Sequence, residues 1–83
     1  MPNANQQDLA IRYEQTVVSH VTQFLVSPGA EDVLLDLSSG VVRDAEQGEL
    51  LPIQTRLALT WSTTRRLAAL LTQVVEQHDA DSN

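Results

Sequence analysis

Cysteine and lysine are both absent from the chain, and each absence removes a class of chemistry. Without cysteine there is no thiolate nucleophile, no zinc-cysteine cluster, no iron-sulfur site and no disulfide. Without lysine there is no Schiff base to a carbonyl or pyridoxal cofactor and no phosphate-loop lysine. All the basic residues are arginine: Arg12, Arg43, Arg56, Arg65 and Arg66. Aromatics are scarce, with Tyr13, Phe24 and Trp61 one of each kind. The longest apolar runs, such as Val33-Leu34-Leu35, fall far short of the roughly 20 residues needed to cross a bilayer. The opening residues Met1 to Gln7 lack the basic and apolar stretches of an export signal, so cytoplasmic residence is the expectation.

What is present is one small domain's worth of chain: 83 residues with a net charge of -6, 42% hydrophobic and 19% charged. A domain of this mass buries roughly 60 to 65% of its unfolded surface, which leaves a single core marginal. Homo-oligomerisation, most simply as a dimer, is therefore expected. The acidic balance, with a pI near 4.5, repels phosphate backbones and anionic lipid surfaces, so nucleic acid and membrane are disfavoured as partners.

Hydrophobic periodicity gives the elements. Ile53, Thr55, Leu57 and Leu59 alternate with Gln54, Arg56, Ala58 and Thr60, which predicts a strand over 52 to 59 with Pro52 tolerated at its start. At Thr60 the period changes to 3.6. Thr64, Leu67, Ala68, Leu71, Val74 and Val75 form one stripe of an amphipathic helix over 61 to 78, with Thr60 or Ser62 as its N-cap. Upstream, Val33, Leu35 and Leu37 share one face of a predicted strand, preceded by a turn at Ser27-Pro28-Gly29-Ala30. The middle of the stretch Ser38 to Leu51 reads as an exposed hairpin loop, with Val41-Val42 a short extension of that strand.

The segment Asp8 to Val26 is ambiguous. Leu9, Tyr13, Val17, Val21 and Leu25 have helical spacing, while the β-branched density of Thr16-Val17-Val18 and Val21-Thr22 favours a strand. The preferred assignment is a strand over 16 to 26, with an N-terminal helix near 8 to 25 as the alternative. The fold class expected is α+β: a three-stranded antiparallel sheet covered on one face by one long C-terminal amphipathic helix. The ends, 1 to 8 and 79 to 83, are expected to be disordered. The sheet's other side, with Leu34 and Ala58, is expected to stay uncovered.

The stretch from Pro52 through Arg65-Arg66-Leu67-Ala68 to Gln77-His78-Asp79 resembles a family of small bacterial proteins of unknown function. Their pattern is a proline-led strand, a polar junction, a basic pair followed by leucine and alanine, and a terminal histidine-acid pair. Arg12-Tyr13 and Leu35-Asp36-Leu37 resemble that family's first and second strands. The resemblance implies short antiparallel strands followed by one C-terminal helix. It implies no activity, because fold does not dictate function.

Candidate functional residues are few. Arg65 and Arg66 fall near the positive end of the predicted helix, and Glu76 and Asp79 near its negative end. Each such placement costs about 0.3 to 1 kcal/mol at an exposed site. A compensating partner for the arginines is therefore expected: carboxylates of a neighbouring strand, another subunit, a protein partner or an anionic ligand. Trp61 at the strand-helix junction covers the end of the core or joins the arginines in a binding patch, tryptophan and arginine both being enriched in binding hot spots. Asp36 and Arg56 suit a cross-strand ion pair.

Ser19 and His20 supply triad residue types, but neighbours on a strand point to opposite faces and no nucleophile elbow surrounds the serine. His20 and His78 lack metal-site spacing, and the acids Glu31-Asp32, Asp44, Glu46 and Glu49 do not alternate as in a calcium loop. The sequence thus predicts no catalytic, metal or cofactor site. The expected function is a small non-catalytic interaction or assembly module that homo-oligomerises, with Trp61, Arg65 and Arg66 as its partner-binding residues. The alternative is a subunit that binds a small anionic ligand or serves an enzyme as an accessory.

Overall fold

The structure is a computed structural model and describes residues 9 to 82. Two antiparallel sheets precede one helix, the smaller sheet inserted in the chain between the second and third strands of the larger. Strands β1 (Gln23–Pro28), β2 (Asp32–Ser38) and β5 (Thr55–Thr60) form a three-stranded sheet with β2 in the centre, and β3 (Val42–Asp44) and β4 (Gly48–Leu50) form a separate hairpin. Helix α1 (Trp61–Ser82) follows β5 without a break. The α+β class expected from the sequence is the class observed.

Tight connections set the register. Between β1 and β2 the chain reverses at Gly29, whose backbone NH donates to the Asp32 carbonyl at 2.8 Å. A Cβ on Gly29 would sit 3.0 Å from that same oxygen, so glycine is what lets the backbone approach so closely. Pro28 then lies opposite Val33 and Gln23 opposite Ser38. In the β3–β4 turn, Asp44 Oδ2 accepts from the NH groups of Glu46 and Gln47 at 3.0 and 2.8 Å, a side chain standing in for a backbone turn. Gly48, at φ 81°, closes that turn in the left-handed region.

Register also sorts the residues of the large sheet onto two faces. Phe24, Val26 and Pro28 of β1 share a face with Val33, Leu35 and Leu37 of β2 and with Thr55, Leu57 and Leu59 of β5. That face is almost entirely apolar. Gln23, Leu25 and Ser27, then Asp32, Leu34, Asp36 and Ser38, then Arg56, Ala58 and Thr60 occupy the other, which is mainly polar.

Helix α1 begins where Thr60 caps it: Thr60 Oγ1 accepts from the Thr63 NH at 3.1 Å, and the Thr60 carbonyl accepts from Thr64 Oγ1 at 2.8 Å. Of the two caps the sequence allows, Thr60 is the one used. The first two turns lie over the corner of the apolar face where Val33 and Leu59 are paired, and Thr63, Thr64 and Leu67 are half-buried there. Beyond Leu67 every described helix residue is exposed.

Four expectations are corrected. The first strand begins at Gln23, not near residue 16, because β2 ends at Ser38: the Thr22 NH still reaches the Ser38 carbonyl at 3.0 Å, and among the described residues no strand lies beyond to receive those before it. Residues 9 to 22 form neither that strand nor the alternative helix; they run outside regular structure, with Gln15 at φ 47°. The stretch read as a hairpin loop joining β2 to β5 has paired strands of its own, β3 and β4. Helix α1 continues four residues past His78 to Ser82, with Ser82 Oγ donating to the His78 carbonyl and Gln77 bonded to Asp81, so 79 to 82 belong to the helix. The expectation for residues 1 to 8 lies outside the described residues, as does Asn83.

Candidate interaction surface

The polar face of the sheet is internally satisfied. Asp36 and Arg56 are direct cross-strand partners, and the guanidinium grips the carboxylate with two bonds, Nε to Oδ1 at 2.7 Å and Nη2 to Oδ2 at 2.9 Å. This is the fork geometry that makes arginine the strongest carboxylate partner. Asp36 is only 3% exposed, yet its carboxyl is held below its ordinary value. The bonds from Arg56 are the chief cause, loss of solvent opposes them and the guanidinium charge reinforces them. Arg56 is raised in turn by the same bonds. Ser38, fully buried, is bonded to Gly40.

The apolar face is not satisfied. Val33, 2% exposed, is the one buried hydrophobic residue among those described. Phe24 and Val26, on the same face, remain 63% and 58% exposed, and Leu57 is also open to solvent. The helix was expected to cover this face, and it covers only the Val33 corner. Along α1 the stripe that begins at half-buried Leu67 continues as Leu70, Leu71, Val74 and Val75, each more than half exposed. The depression between Leu71, Thr72, Val75 and Glu76 is an open trough on this helix surface, not an enclosed cavity. On the polar side, expected to stay uncovered, Ala58 is exposed and Leu34 half-buried.

Trp61, Arg65 and Arg66 lie together on the first turns of α1. Trp61 Nε1 donates to the Gly29 carbonyl at 3.0 Å, so the indole ties the helix start to the β1–β2 turn while a third of its surface stays open. The sequence allowed Trp61 to be either core or contact surface, and the structure shows an anchored ring at the edge. Arg65 and Arg66 are exposed, and neither is paired with a carboxylate among the described residues. Arg66 reaches only the Thr63 hydroxyl, at 3.5 Å. The first turn of α1 has no acid and the last no base; Asp79 and Asp81 in the last turn oppose the helix dipole, whereas Arg65 and Arg66 stand in the second turn, where the dipole has largely faded.

Ser19 and His20 lie in the irregular segment and are exposed, and neither is bonded to an acid among the described residues. Among the described residues no group of three or more His, Asp or Glu side chains comes together as a metal site requires. No described helix is long and apolar enough to cross a membrane.

Sequence reasoning placed the Asp36–Arg56 pair and the helix stripe. It missed the surface formed by Phe24, Val26 and Leu57, because which face a helix covers depends on the angle at which it leaves the strand. Comparison with known proteins gives no match: no family model, no curated protein and no solved structure aligns with the chain.

Proposed function

We propose that this protein is a small, non-catalytic assembly module that associates with itself and, through the start of α1, with a protein partner. The observation that carries the reading is the mismatch between composition and burial. The chain is 42% hydrophobic, an ordinary globular fraction, but buries a single hydrophobic residue among those described. Its Cα radius of gyration is 17.3 Å, against about 12 Å for a compact chain of this length. Apolar surface of this extent marks an interaction site.

Trp61, Arg65 and Arg66 are the proposed partner contacts, because the arginines hold exposed positive charge without a carboxylate beside an anchored indole. A cytoplasmic setting and kinship with the small bacterial proteins sharing the strand-helix pattern belong to the same proposal. The alternative, binding of a small anionic ligand, has the two arginines in its favour but no enclosed cavity beside them among the described residues.

Native mass spectrometry together with light scattering tests self-association. A dimer or higher oligomer at micromolar concentration is expected, and a monomer at every concentration would refute the reading. For the patch, replacing Arg65 and Arg66 with glutamate is expected to abolish capture of an acidic partner while leaving the oligomer intact.

A further inference from the structure

Two apolar surfaces of the chain lack a cover, and each is the ordinary cover of the other. On the sheet they are Phe24, Val26 and Leu57; on the helix, Leu70, Leu71 and Val74. A sheet face is normally buried by an amphipathic helix and a helix stripe by a sheet. Within one chain the two cannot meet, because α1 touches the sheet only as far as Leu67 and then runs past it. Both surfaces are therefore left open to solvent.

We propose that a second copy of this chain covers both surfaces, the helix of each copy lying across the apolar sheet face of the other about a two-fold axis. This rests on the self-association reading above and names the surface and its occupant. The contact is isologous: each chain offers the same helix and the same face, so one symmetry operation satisfies both.

Area supports a second copy. The accessible surface is 7457 Å², against about 4,900 Å² for a compact protein of this mass. From their fractional exposures, the six side chains present on the order of 600 Å² per chain, or roughly 1,200 Å² for a pair, which reaches the range of stable interfaces. Charge supports it as well. The chain carries -6, yet none of the six residues is charged, so two copies can meet there without bringing like charges together. The paired ions Asp36 and Arg56 stay on the opposite face, outside the contact. Residues 9 to 22 also carry exposed apolar side chains, Leu9, Ile11, Tyr13, Val17 and Val18, and form the competing occupant.

The absence of cysteine makes a single-site spin label unambiguous. Gln73→Cys places a nitroxide on the helix away from the Leu70–Val74 stripe. Full-length chain so labelled is refolded together with an equal amount of isotope-labelled wild-type chain, and the methyl spectrum of the latter is recorded. The inference expects the Val26 and Leu57 methyls to broaden, and the Ala58 methyl on the opposite face to broaden much less. Broadening confined to Leu9, Ile11, Val17 and Val18 in a confirmed dimer would overturn this arrangement and leave self-association standing. A monomer by light scattering would overturn both. As a second measurement, Val26→Asp is expected to weaken dimerisation about 100-fold or more, since it buries an unpaired charge. Ser27→Asp, one residue away on the polar face, should leave it unchanged, and equal weakening by both would overturn the assignment.

Discussion

Strand β2 gathers Val33, Asp36 and Ser38, the three buried residues among those described, within seven positions, whereas α1 has 22 residues and buries none. Both carry a clear hydrophobic pattern. The strand is central, with β1 on one side and β5 on the other, so each of its side chains is flanked on its own face by side chains of both neighbours. The helix is held at its first turns alone, by the Thr60 cap and the Trp61 bond to Gly29. Pattern determines which residues want burial; neighbours determine which obtain it. In this chain the neighbours run out at Leu67.

The largest expected effect breaks the comparison on the strand side. Val33→Ala should cost about 2 kcal/mol of stability, because a cavity forms where the site is closed on all sides. Denaturant titration at two protein concentrations checks it, and the loss should be the same at both. On the helix side, Val74→Ala in a solitary chain would stay within about 0.5 kcal/mol. With a second copy over the stripe, it should instead cost about 1 to 2 kcal/mol, and the wild-type thermal midpoint should rise with protein concentration.

The Asp36–Arg56 pair sharpens the comparison through its own asymmetry. Asp36 is buried while the Arg56 side chain is 61% exposed, so Arg56→Ala strands a carboxylate away from water, and Asp36→Asn frees an arginine that water can solvate. Thermal melts should show the larger drop for Arg56→Ala. Because the folded-state value of Asp36 is depressed, its contribution is complete above the unfolded carboxylate value, near pH 4. It is lost as pH falls further through the folded value. Wild type should lose stability on that acid limb, and Asp36→Asn should lose less.

The smallest effect belongs to the helix start. Thr60→Ala should cost about 1 kcal/mol, as removal of an N-cap does. Ser62→Ala, at the other position the sequence allowed for the cap, should change stability by less than about 0.5 kcal/mol. Helicity and thermal midpoint of the two variants separate the positions.

Much of the fold was legible from the residues. The turn signal Ser27-Pro28-Gly29 and the alternation on either side of Thr60 located β2, β5 and the start of α1 to within a few residues. Asp36 and Arg56 could be matched because both fall on the polar phase of their strands. Thr16 to Val21 misled, since they have a strand's composition but β2 offers no backbone beyond Ser38 for them to pair with. Asp79 to Ser82 misled in the opposite direction: the apolar stripe dissolves there, yet polar i to i+4 bonds carry the helix on. The candidate patch of Trp61, Arg65 and Arg66 was legible as a cluster on adjoining turns, but the use of the indole NH on Gly29 was not, because it joins residues 32 positions apart.

The sequence by itself determined the excluded chemistries, the α+β class, the polarity of each face and the helix stripe, because these follow from residue type and from the periods of two and 3.6. Tertiary structure alone decided where β1 starts, that residues 42 to 50 form a second sheet, and that the helix departs from the apolar face instead of lying along it. Those outcomes depend on which backbone groups and side chains meet across long separations in the chain. A local pattern can state the need for such a partner but cannot supply its position.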